Sequence, residues 1–135
     1  MSYKTNITVN FGDVDPAHIV YYPIIFHYCH IAFERFFTEF VGIPYPKLLK
    51  DERLGFPTVN ASTNFFHPIH YGDELIVEII VTRIGKSSVI FSYSGKNGEG
   101  KEYFLAQITV VAVSMDSFTP VAIPENYSTI FAKCK

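Results

Sequence analysis

From Thr5 to Phe11 the chain reads TNITVNF, alternating polar and apolar residues. That period of two predicts a first strand with one buried face. From Ile24 to Val41 the period changes. At about 100° per residue, Ile25, Cys29, Ala32, Phe33, Phe36, Phe37 and Phe40 share one side, and His27, His30, Glu34 and Thr38 fall roughly opposite. This predicts one long helix that lays a Phe-rich face on an apolar partner, most simply a sheet. Pro23 suits its first turn, where a missing N–H costs nothing. Gly42 and then Pro44 are its stop signals.

Residues 44–57, PYPKLLKDERLGFP, predict a polar connection with room for one helical turn. Four strands are expected after it: 58–66, 74–84, 87–94 and 102–115, separated by Gly72-Asp73, Gly85-Lys86 and the GKNGEG stretch at 95–100. In the first of these, Val59, Ala61, Thr63 and Phe65 share one side. Residues 124–133 suit a short terminal helix. A strand, a long helix and then hairpin-linked strands predict an α+β domain, with a mostly antiparallel sheet carrying the helix on one face.

Composition narrows the class. A chain of 135 residues is one domain's worth, 1–135, and at 48% hydrophobic it has enough apolar surface for a core. The net charge of −2 and the lack of a Lys/Arg patch argue against nucleic acid. No apolar run reaches membrane-spanning length, and the N-terminus shows no signal-peptide pattern. Two cysteines, Cys29 and Cys134, make neither a disulfide framework nor a zinc pattern. The expectation is a cytoplasmic protein without a metal or other cofactor. The many Phe residues suggest burial against a second copy.

The chemistry concentrates in FGDVDPAHIVYYP, residues 11–23. Asp15 stands just ahead of the helix, whose first turn carries unpaired N–H groups and a partial positive charge. Such an end can hold the oxyanion of a carbonyl under attack. A carboxylate beside it can attack that carbonyl or activate a water. Thioesters suit the pair, because thiolate leaves without acid assistance. An Asp-rich turn capping a helix is the plainer account of the same residues.

The loop resembles the active-site loop of the 4-hydroxybenzoyl-CoA thioesterase family, roughly D-x-D-P-x-G-I-V-x-Y-P. Asp13, Asp15, Pro16, Ile19, Val20, Tyr22 and Pro23 fit it. PTVNAS, HYGDELIVE and GKSSVIF resemble later parts of the same family. The resemblance implies a hotdog fold, an antiparallel sheet wrapped round one central helix, and hydrolysis of an acyl-CoA. It makes Asp15 the catalytic carboxylate and puts the backbone N–H near Tyr22 in the oxyanion hole. Asp13 is the structural acid of the pair. A homodimer or homotetramer with active sites between subunits is implied, which Asn60 and Ser62 are candidates to reach. As strand residues they equally suit a structural role. One position departs: His18 stands where the family has glycine, adding bulk and a titratable group at the pocket.

Arg83, Lys86 and Ser87 offer cations and a hydroxyl for the CoA phosphates, although an exposed turn explains them as well. Tyr45, Phe56 and Phe66 are candidates to shape an acyl pocket. The pairs His27/His30 and His67/His70 are weak zinc candidates, and Glu34 ranks behind Asp15 as a catalytic carboxylate. Cys29, in the middle of the Phe stripe, suits the core better than nucleophilic work. The rival functions are a non-catalytic acyl-CoA-binding module, a thioesterase for acyl-carrier protein and, more weakly, a dehydratase.

Overall fold

A computed structural model describes all residues from 1 to 135. Five antiparallel strands form the main sheet in the order β1-β4-β5-β6-β3: β1 Tyr3–Ile7, β4 Leu75–Ile84, β5 Ser88–Lys96, β6 Glu102–Val111 and β3 Thr58–Phe65. The long helix α1, Ile24–Phe36, packs against it and continues as a π-helical turn over Phe37–Val41. Gly42 ends the helix at φ 94°, the left-handed stop expected there, with its N–H on the Phe37 carbonyl. Helix α2, Tyr45–Lys50, and helix α3, Glu125–Ala132, flank the core, and a small sheet pairs β2, Leu54–Gly55, with β7, Val113–Ser114. The arrangement is the hotdog fold. No helix is long and apolar enough to cross a membrane.

The helix face follows the sequence pattern. Ile25, Cys29, Ala32, Phe33, Phe36 and Phe37 are buried, while His27, His30, Glu34 and Thr38 are exposed. Tyr28 is buried too, although the apolar stripe does not include it.

Several boundaries differ from expectation. The first strand stops at Ile7, before the expected Phe11, because the chain turns through a 3-10 segment at Phe11–Asp13 to reach the acidic loop. The expected strand 102–115 breaks at Ala112. There the N–H donates to the Ser87 carbonyl, and the chain leaves the main sheet for β2. β5 runs on through Gly95, which lies under the Phe104 ring. A Cβ at Gly95 would fall 2.1 Å from Phe104 Cε2, so only glycine allows that close approach.

β3 is one of the two edge strands, opposite β1, and almost all of it is exposed. Its register with β6 pairs Ala61 with Ile108 and Phe65 with Phe104, so those β3 residues share the helix-facing side. Gaps remain between them and α1, and these gaps form the cavities of the candidate site.

Candidate active site

Residues 13–21 fold into a miniature hairpin. Asp15 N–H donates to the Ile19 carbonyl and Tyr21 N–H to the Asp13 carbonyl, with Val14 opposite Val20. Pro16, Ala17 and His18 form a three-residue loop closed by His18 N–H on the Asp15 carbonyl at 2.8 Å. Such loops end on a left-handed residue, usually glycine. His18 occupies that position at φ 69°. The departure seen in the sequence therefore has a backbone meaning: histidine takes the left-handed conformation more readily than most residues, at some cost. His18→Gly is expected to raise stability by up to about 1 kcal/mol, part of the relief being offset by the freer unfolded chain. Urea unfolding of the two proteins measures it, and a loss of stability would mean that the exposed imidazole has an important partner.

The two aspartates divide the work. Asp13 Oδ2 accepts from Asn10 N–H at 3.0 Å and from the Tyr28 hydroxyl at 2.8 Å. It ties the loop to the helix core. Burial, together with the Asp13 carboxylate, pushes the Tyr28 hydroxyl well above its ordinary pKa, so it stays a donor. Asp15 uses only Oδ1, which accepts from Ala17 N–H at 2.9 Å. Its other oxygen has no partner within the chain.

The helix entry leaves one donor free. Ile24, Ile25 and Phe26 N–H groups bond back to the carbonyls of Tyr21, Tyr22 and Pro23, and Pro23 has no N–H. Tyr22 N–H bonds to nothing in the chain, at the positive end of α1. Asp15 belongs to the hairpin that leads directly into that end. Val20 N–H donates to the Ile69 carbonyl, which anchors the hairpin to the segment following β3.

A cavity of about 270 Å³ opens here, lined by Ile19, Tyr22, Ile25, Phe65, Phe66 and Tyr103 among others. The Tyr22 and Phe65 rings meet edge to face at 6.4 Å. Further along the helix lies a second cavity of about 190 Å³, walled by Phe26, His30, Phe33, Tyr45, Phe56 and Tyr93 and by the inner side of β3. Tyr22, Phe26, His30 and Phe33 succeed one another along one side of α1. The two cavities thus lie one after the other in the corridor between α1 and β3, although no residue lines both. Of the acyl-pocket candidates, Phe66 lines the first cavity, and Tyr45 and Phe56 line the second.

Other candidate residues lie elsewhere in the chain. Arg83, Lys86 and Ser87 are at the far end of β4, a ten-residue strand. At about 3.3 Å per residue they are about 30 Å from the end that carries Asp15. Asn60 and Ser62 pair with Thr109 and Gln107, on the outer face of the sheet away from α1. One chain does not bring these five residues to Asp15. The histidine pairs also diverge: His67 Nδ1 bonds the Glu102 carbonyl, His70 faces Asp73, and His30 faces Glu34. Cys29 is fully buried, and burial pushes its thiol up to about 12, which suits a core residue. Sequence reasoning missed Tyr28 and Tyr93. A Tyr in a buried stripe or strand reads as core, and only the partner of its hydroxyl tells more.

Comparison with known proteins bears on the fold and the family. The chain is 33% identical over 93 residues to a 1,4-dihydroxy-2-naphthoyl-CoA hydrolase of Nostoc punctiforme, a match covering 69% of this chain and 62% of that protein. It is 28% identical over 118 residues to the protein of the same name from Thermosynechococcus vestitus, covering 87% and 80%. Among solved structures, a gentisyl-coenzyme A thioesterase superposes with a TM-score of 0.84 at 26% identity, covering 96% of this chain and 99% of that one. A thioesterase-superfamily protein from Jannaschia sp. CCS1, at 23% identity, covers 98% and 92% with a TM-score of 0.92 and shows the shared fold. Residues 17–104, more than half the chain and including all of α1 and β3, match the Thioesterase superfamily, and the chain belongs to that family.

Proposed function

We propose that the chain hydrolyses acyl-CoA thioesters to free acid and CoA. The observation that carries this is the pair of unengaged groups at one helix end: the second oxygen of Asp15 and the N–H of Tyr22. The thioester carbonyl oxygen accepts from Tyr22 N–H, where the helix dipole favours developing negative charge. Asp15 attacks the carbonyl carbon or takes a proton from a water that does so. The tetrahedral intermediate collapses with departure of the CoA thiolate. Net, one water is consumed. The acyl group occupies the aromatic-lined corridor. Relatives named for dihydroxynaphthoyl-CoA and gentisyl-CoA support an aromatic acyl group. Both cysteines are unpaired, in keeping with a cytoplasmic enzyme.

The working unit is at least a homodimer. β3 is an eight-residue edge, with Val59 61% and Phe65 51% exposed, and a bare edge of this kind seeks a partner strand. Two copies related by a two-fold axis pair the same strand with itself, necessarily antiparallel. That pairing carries the partner's β4–β5 turn toward the sheet end that holds the first chain's Asp15. Arg83, Lys86 and Ser87 thereby become candidates for the CoA phosphates across the interface. Asn60 and Ser62 stay on the outer face and drop out of this site. Light scattering is expected to give two or four times the mass of one chain. A monomer at micromolar concentration would remove the interface and the CoA cations with it.

Steady-state release of CoA across aromatic, short-chain and long-chain acyl-CoAs tests the activity. Turnover of one class well above a folded Asp15→Asn control is the expected outcome. No turnover of any of them would replace hydrolysis with acyl-CoA binding alone or with a carrier-protein substrate.

A further inference from the structure

The second cavity contains a polar group that the core does not explain. Tyr93, on the central strand β5, is 1% exposed, and its hydroxyl has no hydrogen-bond partner in the chain. An unpaired buried hydroxyl is costly in an apolar site. Here the hydroxyl is not sealed in, since no fully buried side-chain oxygen lacks a partner. Its remaining access is to the cavity it lines.

The register places its side chain on the helix-facing side of the sheet. Tyr93 pairs with Ala106 on β6, and Ala106 pairs with Thr63 on β3. The small side chain between them leaves room for the phenol to reach toward the corridor. A second donor faces the same space. Tyr45 accepts the Phe56 N–H at 2.8 Å, which leaves its own O–H free to donate, and it lines the cavity too. The Tyr93 row is two residues inward from the row of Phe65, whose ring touches Tyr22. That offset is about 7 Å along the strand.

We propose that Tyr93 is a specificity-determining residue of this thioesterase: its hydroxyl, aided by that of Tyr45, donates a hydrogen bond to an oxygen on the ring of the acyl group, remote from the thioester. This rests on the acyl-CoA reading of the site and goes beyond it by naming the atoms that distinguish one aryl group from another. An acyl group without that oxygen leaves two O–H groups facing an apolar ring. Discrimination of about ten- to a hundredfold is expected from one such unmet donor.

Matched pairs of substrates test this: 4-hydroxybenzoyl-CoA against benzoyl-CoA, and a hydroxynaphthoyl-CoA against naphthoyl-CoA. The wild type is expected to favour at least one hydroxylated partner by about tenfold or more in kcat/KM. Tyr93→Phe removes one oxygen and keeps the ring, so the fold is retained. With Tyr45 still in place, it is expected to lower that ratio by about fivefold or more, mostly through KM. An unchanged ratio in the variant, or no preference in the wild type, overturns the role of Tyr93 and leaves hydrolysis standing. If no thioester is cleaved, calorimetric binding of the same CoA esters decides instead. A hydroxyl preference lowered in Tyr93→Phe then supports the pocket while hydrolysis fails, and no preference overturns the pocket as well.

Discussion

Asp15→Asn is expected to lower kcat by about a thousandfold or more and to leave KM within a few-fold of the wild type. The substitution is nearly isosteric. Its side-chain oxygen can still accept from Ala17 N–H, the one hydrogen bond that the Asp15 carboxylate makes, so the hairpin loop is preserved. What disappears is the negative charge on the second oxygen, which makes no contact in the chain. A group with no structural partner can be neutralised with little effect on stability. The carbonyl still finds Tyr22 N–H and the helix end, so binding persists and some residual rate remains. Steady-state kinetics on the best aryl-CoA, with thermal unfolding run on the same samples, checks both halves. A variant that unfolds early would move Asp15 into the structural role that Asp13 fills. A folded variant that keeps its rate would transfer the chemistry to another group.

The parts of this protein that show in the sequence are those set by periodicity and by special backbone positions. The Phe face of α1 follows from a period of 3.6, and Gly42 marks its end because only a left-handed residue turns the chain there. His18 looked like a chemical anomaly beside the pocket. Its positive φ shows that the position is first a backbone requirement of a three-residue loop. What stays hidden depends on pairing across the chain. Nothing local says that the Tyr28 hydroxyl holds Asp13, or that the Tyr93 hydroxyl has no partner. Arg83 and Lys86 have the right chemistry for phosphates, yet strand length puts them about 30 Å from Asp15 within one chain. Only the exposed β3 edge suggests how a second copy closes that gap.

Phe36→Ala is expected to cost about 3–5 kcal/mol, the largest stability loss of any variant considered. Phe36 is completely buried at the C-terminal end of α1, where the π-helical turn begins. Five rings surround it: Phe40 stacked at 5.2 Å, Phe131 stacked at 6.2 Å, and Tyr3, Phe37 and Phe91 edge to face at 5.6–5.8 Å. They come from β1, β5, α3 and the helix with its π-helical end, so one side chain joins four parts of the fold. Truncation removes the transfer free energy of the ring and leaves a void that such rigid neighbours fill poorly. In a domain of this size that corresponds to a fall in Tm of roughly 10–20 °C. Neither cavity of the corridor is lined by Phe36. Well below the lowered Tm, turnover is therefore expected to stay near that of the wild type. A loss under about 1.5 kcal/mol would mean that the surrounding rings collapse into the space. Loss of turnover at low temperature, with the fold intact, would mean that this packing also sets the position of the helix end where Tyr22 meets the carbonyl.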